Sequence, residues 1–146
     1  MKLWMESDAG SAGTQVRTAV KEMAADIDRK ILSRGVRVVN AMRNAELEVL
    51  NGQRSGKKYR KYPYKSMYTA SAPGEVPARR SGNLRMHWCG QVKKKSSSVV
   101  VAELESGEEY ADYLQNGKGM APRPFTEKIL EKAKPEADRI LSESYR

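Results

Sequence analysis

The chain has 146 residues, a net charge of +9 and 31% charged residues against 7% aromatic ones. That length suits a single domain burying about two-thirds of its unfolded surface, with a modest core that partners help to cover. No run of about eighteen apolar residues occurs, which argues against a membrane span, and the single cysteine, Cys89, rules out an internal disulfide.

The charge is unevenly placed. From Asn51 to Lys95 there are 12 Lys and Arg against one acid, Glu75, a local charge of +11; the remainder carries 15 Lys and Arg against 17 Asp and Glu, or −2. Directly after the basic middle, Glu103, Glu105, Glu108, Glu109 and Asp112 form an acidic stretch without a basic residue. A basic middle attracts polyanions through counterion release, and it equally suits the acidic patch of a neighbouring copy.

In chain order, residues 1–14 are polar, carry two glycines and lack the apolar core of a secretion signal. They read as a flexible arm on a cytosolic product. Trp4 in that arm reads either as an anchor for a partner or as a side chain packed on its own domain. From Val16, the residues Val16, Val20, Met23, Ala24, Ile27, Ile31, Val38, Ala41, Met42, Ala45 and Val49 recur at steps of three and four, the signature of one helical face. Thr14 is the expected N-cap, and Asn51-Gly52 the expected stop, with Gly52 in the left-handed position. Gly35 weakens the rod by roughly 1 kcal/mol relative to Ala and allows a break near Ser33–Gly35. The opposite face, with Arg17, Lys21, Asp28, Arg29, Arg37 and Arg43, is expected to be wet. So long a helix in so small a domain implies that another subunit covers part of its apolar stripe.

Gln53 to Lys65 interleaves basic residues with Tyr59, Tyr62 and Tyr64. Lys and Arg on phosphate with Tyr available for stacking suits nucleic acid, so Arg54, Lys57, Lys58, Arg60 and Lys61 are candidate nucleic-acid-facing residues. A solvated loop whose tyrosines lie on the sheet explains the same stretch equally well. Met67 to Ser71 reads as a short strand. Thr69 to Trp88 then holds Pro73, Gly74 and Pro77, which exclude helix interior and mark an extended arm with a tight turn at Pro73-Gly74. Ser81 to Leu84 reads as a one-turn start, and the alternation of Leu84, Met86 and Trp88 places a strand over Leu84–Val92. Lys93 to Ser98 reads as a polar hairpin loop, with Lys93, Lys94 and Lys95 solubilising or facing nucleic acid, and a second strand spans Ser98–Leu104. Tyr110 to Leu114 forms a short helix or turn ended by Asn116-Gly117. Phe125 plugs the core, Thr126 caps a last helix, and Phe125, Ile129, Leu130, Ala133, Ala137, Ile140 and Leu141 share its apolar face. Pro135 either kinks that helix or opens a second segment.

Several of these pieces fall into one family pattern. Ser-Gly-Lys-Lys-Tyr-Arg (Ser55 to Arg60), Ala-Ser-Ala-Pro-Gly-Glu-Val-Pro (Ala70 to Pro77), Ser-Gly-Asn-Leu (Ser81 to Leu84), Tyr-Ala-Asp-Tyr-Leu-Gln-Asn-Gly (Tyr110 to Gly117) and Arg-Pro-Phe (Arg123 to Phe125) occur in order. Together they resemble the small tail-completion, or head–tail joining, proteins of long-tailed phages and prophages, over about Val36 to Leu141. Gln115-Asn116 departs from that family, which more often has an acidic and an aromatic residue before the glycine. The resemblance implies a structural virion protein of the neck, assembled in the bacterial cytoplasm as a ring, six copies being the expected number. Its implied partners are other copies of itself, the head connector, tail-terminator or tail-tube proteins, and packaged DNA passing through the lumen.

Catalytic chemistry finds no footing. His87 and Cys89 sit two apart without a third orienting group, no Cys/His cluster suits zinc, and Ser-Gly-Lys-Lys-Tyr lacks the spacing of a phosphate loop. The expectation is therefore a non-enzymatic chain without a cofactor. It has a 1–14 arm and a single α+β domain over 15–146, with long N-terminal and C-terminal helices packed on a small, mostly antiparallel sheet. Pro73, Gly74, Pro77, Arg79, Arg80, Glu108, Glu109, Asp112 and Tyr113 are the candidate subunit-interface residues. Ring closure is expected from basic-to-acidic contact between copies, with the proline-rich arm reaching over a neighbour or up to the connector. A basic nucleic-acid-binding module is the alternative.

Overall fold

The computed structural model describes residues 9–96 and 99–145. It is an α+β fold whose axis is one helix, α1 (Ala9–Val49), 41 residues long and so about 60 Å from end to end. The helix begins within the residues expected to form the arm, and Thr14 lies inside it rather than capping it. The Thr18 hydroxyl donates back to the Thr14 carbonyl at 3.0 Å.

α1 runs unbroken through Gly35, and packing supplies the reason. A Cβ at Gly35 would lie 2.8 Å from Val92 Cγ1, and a Cβ at Gly90 would lie 2.2 Å from Val39 Cγ1. The two glycines let a hairpin settle directly on the helix. That hairpin pairs β3 (Trp88–Lys94) with β4 (Val100–Ser106), antiparallel, in a register that sets Gly90 opposite Leu104 and Val92 opposite Ala102. Its residues alternate as a pleat requires. Gly90 and Val92 meet α1, while Lys93 crosses to Glu103 on the same strand face as Gln91.

The strand expected over Leu84–Val92 is displaced. Residues Asn83–Met86 make a single helical turn, α2, entered through Gly82 at φ 95°. The Trp88 indole N–H donates to the Leu84 carbonyl, which fixes that turn against the start of β3. The hairpin loop is also shorter than expected, because β3 continues through Lys94. Of the six residues expected in that loop, Ser97 and Ser98 lie outside the described residues. A second antiparallel pair, β1 (Lys58–Arg60) with β2 (Met67–Thr69), forms its own two-stranded sheet. There are thus two small sheets among the described residues, not one.

α3 (Tyr110–Asn116) ends on Gly117 at φ 76°. α4 (Thr126–Leu141) continues unbroken through Pro135, which therefore does not open a separate segment. It lies antiparallel to α1 and buries Ile129, Ala133 and Ile140, whereas Leu130 and Leu141 stay exposed. Lys132 pairs with Glu48, and Arg37 forks onto Glu143 with both bonds at 2.6 Å. Arg37, whose side chain stays about 41% exposed, thus adds an ion pair to α4 on the face expected to be wet. The α4 start is not capped by Thr126. Its N–H and that of Phe125 both donate to Gln115 Oε1, at 3.2 and 2.9 Å. The Gln115 departure from the family pattern thus has a structural use. Phe125, 1% exposed, centres the core with Ala45, Leu50, Val76, Ala111, Ile129 and Ala133 and meets Trp88 edge to face at 6.1 Å.

Candidate functional site

The segment from Thr69 to Trp88 is laid across the C-terminal end of α1 rather than projecting from the body. Val76 is 7% exposed, and Pro77 is also buried. Glu75 organises it: its carboxylate accepts from the Ser55 hydroxyl, the Ser55 N–H and the Ala72 N–H. Those donors hold the Glu75 carboxyl well below the ordinary carboxylate range, at about 2. Gly74 takes the expected positive φ, 80°, and donates to the Pro122 carbonyl at 3.1 Å. Arg54 does not face outward as a nucleic-acid contact. It is half-buried, donates to the Pro77 carbonyl at 3.2 Å and to the Val49 carbonyl at 3.0 Å, and so closes the end of α1 in place of Gly52, which has no positive φ.

Arg123 stitches the next pieces together. Its Nε donates to Ser71 Oγ at 2.8 Å, and its backbone N–H donates to the Leu114 carbonyl at 2.7 Å. Most of the segments that carry the family resemblance thereby converge on one cavity of about 500 Å³. Leu50, Leu84 and Leu114 give it an apolar lining, and Arg79, Arg80, Arg85 and Arg123 ring it. None of the four makes an ion pair among the described residues. Arg80 stands over the Tyr68 ring at 5.8 Å, and Arg85 has a buried Nε without a hydrogen-bond partner. Sequence reasoning singled out Arg79 and Arg80 and missed Arg85 and Arg123. The motif containing Arg123 was visible, but its convergence with the arm was not.

α3 separates this cavity from its electrostatic opposite. Tyr110 and Leu114, four apart, face the arginine-ringed side, while Ala111, Asp112 and Gln115 face a second, shallower groove. Glu105, Glu108, Glu109 and Asp112 line that groove beside the edges of Trp88 and Phe125. Glu108 is paired with His87, so His87 is engaged with a carboxylate rather than with exposed Cys89. Tyr113 is exposed and lies under Lys118, whose Nζ is 4.6 Å from the ring centroid. The predicted acidic interface residues are therefore grouped together, on the opposite flank of one short helix from the predicted basic ones.

The remaining basic candidates divide in two. Lys93 pairs with Glu103 at 2.6 Å and Lys94 with Asp28 of α1 at 2.7 Å, so both are used within the fold. Lys95 remains exposed at the hairpin turn. Lys57, Lys58, Arg60 and Lys61 are exposed on and around β1 and form no ion pair among the described residues. Tyr62 and Tyr64, 91% and 65% exposed, stand beside them, whereas Tyr59 stacks on Tyr68 at 5.8 Å.

Beneath the site, Glu46 of α1 is fully buried. Burial pushes its carboxyl up to about 7, against the opposing pull of Arg43 and Arg85. Arg43, expected on the wet face, instead turns inward to Glu46 and donates to the Arg85 carbonyl at 2.9 Å. No cluster of His, Cys, Asp and Glu suited to a metal ion occurs among the described residues, and no described helix is long and apolar enough to cross a membrane. The chain matches no protein-family model, no curated protein and no solved structure.

Proposed function

We propose that the protein is a structural component of a phage head–tail junction, a ring-forming tail-completion or neck protein with no turnover of its own. The observation that carries the reading is the division of charge across α3, with an arginine-ringed cavity on one flank and a four-carboxylate groove on the other. Two unlike, complementary surfaces on one body favour head-to-tail contact, which closes into a ring when the rotation per copy divides a full turn. The family pattern supports the same reading, because the segments that carry it build the cavity wall. Six copies are expected, with the head connector and a tail-terminator or tail-tube protein stacked above and below. The ordered arm serves as part of the docking wall, since its Val76 and Pro77 are already buried at home.

A second reading has its own support. Lys57, Lys58, Arg60, Lys61, Tyr62 and Tyr64 form an exposed, uncompensated basic and aromatic edge suited to a single strand or a duplex backbone. In a ring this edge lines the lumen and meets passing DNA weakly; in a monomer it makes a nucleic-acid-binding module. Deleting the gene from its phage separates the readings. A neck protein leaves filled heads and finished tails unjoined under the electron microscope, whereas normal joined particles in the deletion eliminate the proposal.

A further inference from the structure

Of the two tryptophans, Trp88 packs against the core. Trp4 lies outside the described residues, in the segment 1–8 that precedes α1. In that segment Leu3, Trp4 and Met5 are consecutive and apolar, and the acids Glu6 and Asp8 follow at once. Lys2, on the far side of Trp4, is its one cation, so the side chains of residues 1–8 sum to +1 − 2 = −1. The arginine-ringed cavity has the complementary chemistry. Leu50, Leu84 and Leu114 line it, and its volume of about 500 Å³ falls in the range of pockets that take small organic groups, so it admits an indole. Arg80 already stands over the Tyr68 ring at 5.8 Å, and a guanidinium pairs with indole better still. Arg85 keeps a buried Nε without a hydrogen-bond partner, and Arg79, Arg80, Arg85 and Arg123 have no ion-pair partner among the described residues.

We infer that residues 3–8 of one copy dock in the arginine-ringed cavity of a second copy, with Trp4 seated among the leucines and Glu6 and Asp8 on the arginines. Reach excludes the segment's own cavity. Leu50, directly after α1, lines the cavity, so the start of α1 at Ala9 stands about 60 Å away along the helix. Eight residues span at most about 28 Å when fully extended. The rigid helix thus holds the segment away from its own body and presents it to a neighbour. A buried tryptophan framed by arginines is the usual centre of a strong contact, while the two acids set orientation more than strength. Two acids against four arginines leave the rim positive, so it still suits the acidic groove of an adjoining copy. The contact needs a second copy but no ring. Its failure would leave the division of charge across α3 as it is, and failure of the head–tail reading would leave this contact as it is.

Thiol cross-linking in the full chain tests this, with exposed Cys89 replaced by Ser. One chain carries Ser7→Cys and the other Met120→Cys, at an exposed residue of the cavity; neither change removes a charge from the segment or the rim. The chains are treated with a short bis-maleimide separately and as a mixture. The mixture is expected to form a covalent dimer and each chain alone to stay uncoupled. Adding Trp4→Ser to the Ser7→Cys chain removes no contact of the described fold and is expected to lower the mixed product by about tenfold or more. Absence of a mixed product overturns the inference. So does a mixed product insensitive to Trp4→Ser, which reports random collision, and so does an equal yield from Ser7→Cys chains alone, which reports segments meeting each other. A chain carrying both cysteines is expected to couple between copies; an internally linked monomer would seat the segment in its own cavity and overturn the exchange.

Discussion

Among single residues, Glu46 is the most informative, because a carboxyl group closed off from water couples folding to pH. Its pKa is raised to about 7 chiefly by burial, with Arg43 and Arg85 pulling the other way. The folded state therefore holds a proton that the unfolded chain gives up near its ordinary value of 4.5. Between those two values the native state binds more protons than the unfolded state, so stability falls as pH rises, and it levels off above pH 7. The full span is on the order of 3 kcal/mol. Glu75 has the opposite sign: its carboxyl sits at about 2, so its contribution is complete above pH 4.5 and fades only as pH falls towards 2. The two windows do not overlap, and pH 5 to 7.5 isolates Glu46. Glu46→Gln is expected to flatten the dependence of the unfolding midpoint on pH across that range, with Arg43 still held by the Arg85 carbonyl. A variant with the slope of the parent chain would show that another group carries it.

At the scale of elements, the contact between α1 and the β3–β4 hairpin rests on two side chains that are absent. Gly90→Ala places a Cβ 2.2 Å from Val39 Cγ1 and is expected to cost about 1–3 kcal/mol through overpacking. Gly35→Ala meets Val92 at 2.8 Å, but it gains helix propensity of about 1 kcal/mol, so its net effect should be clearly smaller. Urea unfolding of the two variants checks the order, and Gly90→Ala as the milder change would contradict this account of the packing. The same contact marks how far the sequence was legible. Periodicity disclosed α1, α4, α3 and the hairpin, since each carries its own apolar pattern, and Phe125 announced the core as the only phenylalanine. Local pattern failed where a distant partner decides. Gly35 looks like a break until Val92 is seen to need its space. Leu84 and Met86 alternate like a strand, yet the Trp88 indole bonded to the Leu84 carbonyl closes them into a helical turn. Thr126 looks like a cap until Gln115, eleven residues back, takes that role. The arm was legible as non-helical, because proline and glycine act locally. Its burial was not, because that depends on Glu75 meeting Ser55 and on Arg54 meeting the Pro77 carbonyl.

For the whole molecule, the decisive property is that its positive and negative surfaces are both strong and lie apart. The net charge of +9 alone favours repulsion between copies, so attraction must come from how the charge is arranged. With Arg79, Arg80, Arg85 and Arg123 around the cavity and Glu105, Glu108, Glu109 and Asp112 in the groove, the approach of one copy's groove to the next copy's cavity brings opposite signs together. Groove-to-groove or cavity-to-cavity approach brings like signs together. The attraction therefore favours head-to-tail over head-to-head contact while adding modestly to affinity. Exchanging Glu108, Glu109 and Asp112 for Lys converts the groove to the sign of the cavity, and ring formation is expected to fail in sedimentation and in negative-stain images. Glu108 also holds His87, so Glu109→Lys with Asp112→Lys provides a variant that leaves that pair intact and should still weaken assembly. A compensating change, Arg79→Glu with Arg80→Glu in a second chain, should restore contact only when the two chains are mixed. Raised salt should weaken the parent contact, because ions screen exposed charges beyond about 10 Å at 0.1 M. Rings that form equally well after the reversal, at the same salt, would remove electrostatic closure from the proposal while leaving the fold as described.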